Sequence, residues 1–118
     1  MKENDLIERT FEFAVSTIKY LRTLGYTDEL KVIKHQLIKA ATSVGANYEE
    51  AQGASSKIDF AHKVKIVLKE AREANYWFRL LKALDYSGST LDELLQESKE
   101  LKNIFGAIVV KSTINRTA

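Results

Sequence analysis

The chain has 118 residues, of which 45% are hydrophobic and 29% are charged. This length predicts one domain, and this balance is typical of a globular protein rather than of a disordered chain. The absence of cysteine and proline excludes disulfide bonds and favours long, uninterrupted helices. The apolar run 104–110 is too short to cross a bilayer, and the opening MKENDLIERT lacks a signal-peptide core. We therefore expect a cytoplasmic protein without a membrane partner.

The first predicted helix covers residues 5–24, with Asn4 or Asp5 as its N-cap and Gly25 as its stop signal. Apolar residues recur every three or four positions in two neighbouring sets, which is the pattern of an amphipathic helix. The set expected to form the core stripe is Ile7, Phe11, Ala14, Ile18 and Leu21, and the set expected to widen it is Leu6, Phe13, Tyr20 and Leu24.

The second predicted helix covers residues 28–52. Thr27 is its expected N-cap, and Asp28 and Glu29 complement the helix dipole in the first turn. We expect Gly53 to end this helix in a left-handed conformation. The core stripe, in which Asn47 takes one of the apolar positions, is Leu30, Ile33, Leu37, Ala40, Val44, Asn47 and Ala51.

The third predicted helix covers residues 57–85 and ends before Gly88. Ser56 with Asp59 three residues later resembles a capping box at its start. Its core stripe is Phe60, Val64, Val67, Ala71, Ala74, Phe78 and Leu81.

The fourth predicted helix covers residues 91–113, opened by a second capping box of Thr90 and Glu93. Its stripe is Leu91, Leu94, Ser98, Leu101, Phe105 and Ile108. Near its end, residues 104–110 are apolar all round, which indicates either a fully wrapped core end or a subunit interface. Four amphipathic helices with short connections predict an all-α, up-and-down antiparallel four-helix bundle that forms a single domain over residues 1–118.

Six side chains of the second and third helices, here called the polar cluster, lie on or beside the apolar stripes: Ser43, Asn47, Glu50, Glu70, Glu73 and Trp77. We interpret them as a buried hydrogen-bonded network that sets helix register or lies at a subunit boundary, with the Trp77 indole N–H as a donor. An acid/base pair of neighbouring carboxylates is an alternative.

A di-metal site in a bundle needs two Glu-x-x-His pairs. The two histidines, His35 and His62, follow Val32 and Asp59 by three residues, so neither belongs to such a pair. No nucleophile, glycine-rich phosphate loop or catalytic triad accompanies the carboxylates. We therefore predict no metal, no cofactor and no enzymatic activity.

Positive charge is concentrated on the third predicted helix, where residues 57–82 hold seven Lys or Arg against three Asp or Glu. Spacings of three or four place six residues along one face, here called the basic face: His62, Lys65, Lys69, Arg72, Tyr76 and Arg79. Cations bind phosphates, and Tyr76 can stack on an unpaired base, so this face is a candidate nucleic-acid surface. The alternative is a solvated helix face whose cations pair with Glu73 or with a neighbouring helix.

Three blocks of the sequence resemble the bacterial four-helix bundle protein family encoded in intervening sequences of large-subunit ribosomal RNA genes, often labelled as ribosomal proteins. The blocks are SVGANYEEA at 43–51, SKIDF at 56–60 and KEAREANYWFRLL at 69–81. Tyr48 stands where Ile or Val is commoner, and Phe78 where Leu is usual. The resemblance implies a bundle that assembles into a ring, as a pentamer. A related branch is the accessory protein of diversity-generating reverse transcriptases, which uses a basic ring surface for nucleic acid and for its polymerase.

We therefore predict a non-enzymatic, oligomeric accessory protein that binds RNA, or DNA, through the basic face. The alternative is a scaffold whose partner is another protein. The two differ in salt dependence, because nucleic-acid affinity falls steeply as salt rises.

Overall fold

Residues 3–117 fold into four α-helices in the computed structural model, which describes the side chains of residues 5–114. The helices are α1 (Glu3–Arg22), α2 (Asp28–Ala51), α3 (Lys57–Ala83) and α4 (Ser89–Thr117). Each helix packs on the next along the chain and α4 packs on α1, which produces an elongated bundle of 49 × 24 × 22 Å. The predicted all-α, up-and-down four-helix bundle is confirmed, and no strand occurs among the residues described.

The buried stripe of α1 combines three residues of the second predicted set, Leu6, Phe13 and Tyr20, with Leu21 of the first set and with two threonines. Phe13, Tyr20 and Leu21 are buried, whereas Phe11 is 58% exposed. Thr10 and Thr17 have no exposed surface, and their hydroxyls donate to the carbonyls of Leu6 and Phe13, both at 2.7 Å. Because these bonds satisfy the hydroxyls within the helix, the threonine methyl groups pack in the core. The prediction that Phe11 belongs to the core stripe is wrong.

Two of the predicted N-caps are confirmed. The Thr27 Oγ1 accepts a hydrogen bond from the Leu30 N–H at 3.0 Å, and the Ser56 Oγ accepts one from the Asp59 N–H at 3.0 Å. Asp59 reaches back to the Ser55 N–H at 3.0 Å rather than to the Ser56 N–H of a regular capping box. The Thr27 bond begins α2 after its short connection from α1, and the bonds of Ser55, Ser56 and Asp59 begin α3 after its short connection from α2.

The other helix ends differ from the predictions. Asn4 and Asp5 lie inside α1, and Thr90 lies inside α4, because the Gly88 carbonyl already accepts from the Asp92 N–H at 3.1 Å. The predicted capping box of Thr90 and Glu93 is therefore wrong.

The left-handed residue that ends a helix is Asp85 (φ 71°), and Gly53 has no positive φ. The N–H groups of Asp85 and Tyr86 donate to the carbonyls of Lys82 and Leu81, which is the bonding of a Schellman motif at the end of α3.

Besides its core side chains, α1 makes a close backbone contact with α2 and a charged contact with α4. A Cβ added at Gly45 of α2 would lie 3.3 Å from the Thr10 carbonyl carbon, so the two helices meet backbone to backbone there. On the other side, the Arg9 guanidinium donates to both carboxylate oxygens of Glu97 at 2.7 Å and to Glu100 at 2.9 Å. These side chains join α1 to α4 by a charge-assisted network rather than by close backbone packing.

Candidate nucleic-acid interface

The basic face lies on the outer side of α3. Its six members are all exposed: His62, Lys65, Lys69, Arg72, Tyr76 and Arg79. The opposite side of α3 is buried through Val64, Ala71 and Phe78. At about 1.5 Å per residue, the basic face extends for roughly 25 Å along the helix.

The cations of the basic face form no ion pair among the residues that the structure describes. The ion pairs found join Arg9 to Glu97 and Glu100, Lys63 to Asp59, and Lys82 to Asp92. Pairing with Glu73 or with a neighbouring helix, which was the alternative explanation of this charge, is not observed. The five basic side chains of this face therefore stand together without a close ion pair to a described carboxylate, and Lys69 acts on the half-buried Glu70 only through its longer-range charge.

Tyr76 stands half-exposed among these cations. Its ring makes an edge contact with the Trp77 ring, with centroids 5.1 Å apart and planes at 82°. The Arg79 guanidinium lies 5.8 Å from the centroid of the Tyr76 ring. These two contacts hold the tyrosine ring on the surface between flanking cations.

Two lysines of α4 extend the positive surface and were missed by the sequence analysis. A Cβ added at Gly106 would lie 4.0 Å from the Leu68 side chain, so this edge of α4 faces α3. Lys102 and Lys99 precede Gly106 by four and seven residues and therefore share that edge. The spacing was visible in the sequence, but only the packing of the two helices brings this edge beside α3.

The α2 members of the polar cluster bond within their own helix. The Ser43 hydroxyl donates to the Lys39 carbonyl at 2.6 Å, and the Asn47 amide donates to the Ser43 carbonyl at 2.8 Å. Glu50 lies in the last turn of α2 and is exposed, so the prediction that it is buried is wrong. A position of the cluster at a subunit boundary stays a prediction.

The α3 members of the polar cluster, Glu70, Glu73 and Trp77, are half-buried. The Glu70 Oε2 and the Trp77 Nε1 are buried and have no hydrogen-bond partner within the described residues. The prediction that the Trp77 indole N–H donates to the polar cluster is therefore wrong. Burial, reinforced by the negative charge of Glu73, raises the pKa of Glu70 above its ordinary value. This carboxylate therefore costs folding free energy when it is ionised.

Replacing Glu70 with Gln is expected to raise the free energy of unfolding at pH 7 by about 1 kcal/mol. The raised pKa of Glu70 means that the folded chain holds this proton to a higher pH than the unfolded chain does. The free energy of unfolding therefore falls as the pH rises from the ordinary value of 4.5 to the raised one. Urea unfolding at several pH values measures the gain, which should vanish below the ordinary pKa.

Glu49→Gln is the matched control, because Glu49 is exposed on α2. Its expected effect lies within about 0.5 kcal/mol at every pH. A Glu70→Gln protein that is less stable than the parent at pH 7 would contradict the inference that the ionised Glu70 carboxylate destabilises the folded chain.

A buried polar contact between helices lies elsewhere than predicted. The Asn75 amide donates to the Ser98 Oγ at 3.0 Å, and the Ser98 hydroxyl donates to the Leu95 carbonyl at 2.9 Å. Both side chains are buried. Ser98 is a polar residue on the predicted apolar stripe of α4, which marks it as a candidate for a buried hydrogen bond. Asn75 lies next to the predicted stripe of α3 and not on it, so the helical pattern did not predict its burial.

Across the side chains that the structure describes, no group of three or more His, Asp or Glu residues is arranged to hold a metal ion. None of the described helices is long and apolar enough to span a membrane.

The fold and the exposed cations define a small all-α helical-bundle protein with a basic surface. A family model described as 23S rRNA-intervening sequence protein matches residues 2–107, and the chain belongs to this family. The resemblance drawn from the three sequence blocks is thereby confirmed. The family description does not name an enzyme.

The chain is also similar to a crystal structure from Bacteroides thetaiotaomicron, described as a protein with unknown function from the S23 ribosomal protein family. The two sequences are 34% identical, the TM-score is 0.79, and the match covers 92% of this chain and 98% of that chain. A search of curated proteins found no match.

Proposed function

We propose that this protein is a non-enzymatic accessory protein of the bacterial cytoplasm that binds RNA through the basic face. The observation that carries the proposal is the set of exposed cations on α3, none of which forms an ion pair with a carboxylate in the part of the chain whose side chains are described. Such cations release counterions when they neutralise phosphates, and that release drives binding. The description of the family, which refers to an intervening sequence of 23S rRNA, supports RNA rather than DNA as the ligand.

We also propose that the protein assembles into a ring of identical subunits, a pentamer by the family resemblance. Large apolar side chains on α1 and α4 that are exposed in the single chain, among them Phe11, Val110 and Ile114, support an assembly that covers them. A ring would repeat the basic face once per subunit and raise the affinity for a long RNA. Light scattering on the samples used for binding would give the assembly mass.

Reversing three charges of the basic face is expected to abolish measurable RNA binding. The variant carries Lys65→Glu, Lys69→Glu and Arg72→Glu. Fluorescence anisotropy with a labelled structured RNA and a labelled DNA duplex, over a salt series, measures the affinity. For the parent protein the affinity should fall steeply with salt, with a log–log slope of about −0.7 to −0.9 per phosphate contacted.

A matched control reverses three exposed lysines away from the basic face: Lys19, Lys31 and Lys111. Both variants have the same net charge, so a loss confined to the first variant assigns binding to the basic face rather than to overall charge. Circular dichroism should show the same helix content for both proteins. A control variant that loses binding equally would contradict the proposal.

A protein-binding scaffold is the second candidate, favoured by an apolar groove between α1 and α2. The groove is lined by Phe11, Ala14, Val15, Ile18 and Ala46 among others. Binding of neither RNA nor DNA by the parent protein, even at low salt, would favour this candidate over the first.

A further inference from the structure

We infer that the basic face binds unpaired nucleotides of single-stranded RNA and that Tyr76 is the platform on which a base stacks. This inference rests on the proposed function and adds to it the class of ligand and the residue that recognises it.

The Tyr76 ring has the properties that a stacking platform needs. The side chain is 50% exposed, so part of the ring is open to a ligand. The edge contact with Trp77 at 5.1 Å and the Arg79 guanidinium at 5.8 Å restrict the ring before any ligand binds. Because the ring is already ordered, little side-chain entropy is lost when a base stacks on it.

Cations on both sides of Tyr76 can bind the phosphates that flank a stacked base. Arg72 lies about one turn before Tyr76, Lys69 about two turns before it, and Arg79 about one turn after it. Glu73 is the nearest acidic residue along the helix, and it is half-buried beside Trp77 rather than exposed in the basic face. An aromatic ring between phosphate-binding cations is the arrangement that single-strand-binding surfaces use.

A double helix fits this surface less well. The third helix lies between α2 and α4, and packed helices are usually only 8–10 Å apart. Because α3 has a packed helix on each side, α2 and α4 would meet the phosphate backbones before the basic face reached the floor of the DNA major groove, and the major groove of duplex RNA is too narrow for side chains to read. A duplex can therefore meet the cations through its phosphates, whereas its bases are stacked on each other and leave Tyr76 without a ligand.

The test compares Tyr76→Leu and Tyr76→Phe with the parent protein. The ligands are oligoadenylate and oligouridylate RNA of about a dozen nucleotides, a deoxyadenylate strand of the same length and an RNA duplex, all studied by fluorescence anisotropy. Tyr76→Leu should bind oligoadenylate roughly 5- to 150-fold more weakly, which is the usual loss for one stacked base. Tyr76→Phe keeps the ring and should bind like the parent, and the affinity for the duplex should be the same in all three proteins.

Trp77 supplies a second measurement, because it is the single tryptophan of the chain and touches the Tyr76 ring. Oligoadenylate should change its fluorescence in the parent and in Tyr76→Phe. The parent should also prefer oligoadenylate to oligouridylate, since adenine stacks more strongly, and this preference should disappear in Tyr76→Leu.

The outcomes separate this inference from the proposed function. If Tyr76→Leu binds oligoadenylate as tightly as the parent while the charge-reversal variant does not bind, the stacking platform is refuted and the basic face stands. Tighter binding of a deoxyadenylate strand would overturn the assignment of RNA as the ligand. If the parent binds no nucleic acid at low salt, both proposals fall.

Discussion

Phe78→Ala is expected to lower the free energy of unfolding by about 3–5 kcal/mol. Phe78 is among the largest side chains with no exposed surface, and its ring packs edge-on against Phe13 with centroids 6.0 Å apart. Truncation removes the transfer free energy of the ring and leaves a cavity between α1 and α3. A domain of this size is typically stable by only 5–15 kcal/mol, so the loss should also lower the melting temperature clearly. Urea unfolding followed by circular dichroism measures it.

Phe11→Ala makes the same chemical change at an exposed position and is the matched control. Phe11 is 58% exposed in the single chain, so its truncation should cost less than about 1 kcal/mol. Equal losses at both positions would contradict the assignment of the core face of α1. A loss at Phe11 that grows with protein concentration would instead indicate that an assembly covers this side chain.

Gly45→Leu is expected to lower the free energy of unfolding by about 3 kcal/mol, because α1 must move away from α2 to admit the side chain. A Cβ at position 45 would already lie 3.2 Å from the Thr10 Oγ1 and 3.3 Å from the Thr10 carbonyl carbon and oxygen. The backbone atoms cannot give way without a shift of the whole helix. The free energy of unfolding in urea is again the measurement.

Gly106 provides the contrast, since it also lies inside a helix but has room for a side chain. A Cβ there meets the Leu68 side chain at 4.0 Å, which is an ordinary contact. Gly106→Ala should therefore gain about 1 kcal/mol from helix propensity alone. Gly45→Ala should fall well short of that gain, because the contact with Thr10 opposes it. An equal gain at both glycines would refute the close approach of α1 and α2.

Most of the candidate surface could be predicted from the sequence because it lies on one helix. The spacing of Lys65, Lys69 and Arg72 places them on one face of any regular helix, and the structure leaves this face exposed. That these cations form no ion pair with a described carboxylate could not be predicted, because it depends on which residues the neighbouring helices bring close. The same limit applies to Lys99 and Lys102, because only the packing of α4 shows that the helix edge they share with Gly106 faces α3.

The polar cluster was harder to predict, because helical periodicity cannot distinguish a buried position from the edge of a buried stripe. Glu70 and Trp77 each have a buried polar atom, whereas Glu50, which was predicted to lie beside the core stripe of α2, is exposed. A hydrogen bond between helices also joins two residues that are far apart in the sequence, so no local pattern predicts which residues will pair. The Asn75–Ser98 contact spans 23 positions along the chain and was therefore outside the reach of the sequence argument.

By itself, the sequence determined the number of helices, the caps at Thr27 and Ser56, and the surface position of the basic face. These features depend on residues within one or two helical turns of each other, where periodicity and capping act. The tertiary structure alone decided that Thr10 and Thr17 join the core in place of Phe11, and that Asp85 ends α3 in a left-handed conformation. Those choices depend on contacts between whole helices, whose packing free energy outweighs local preference.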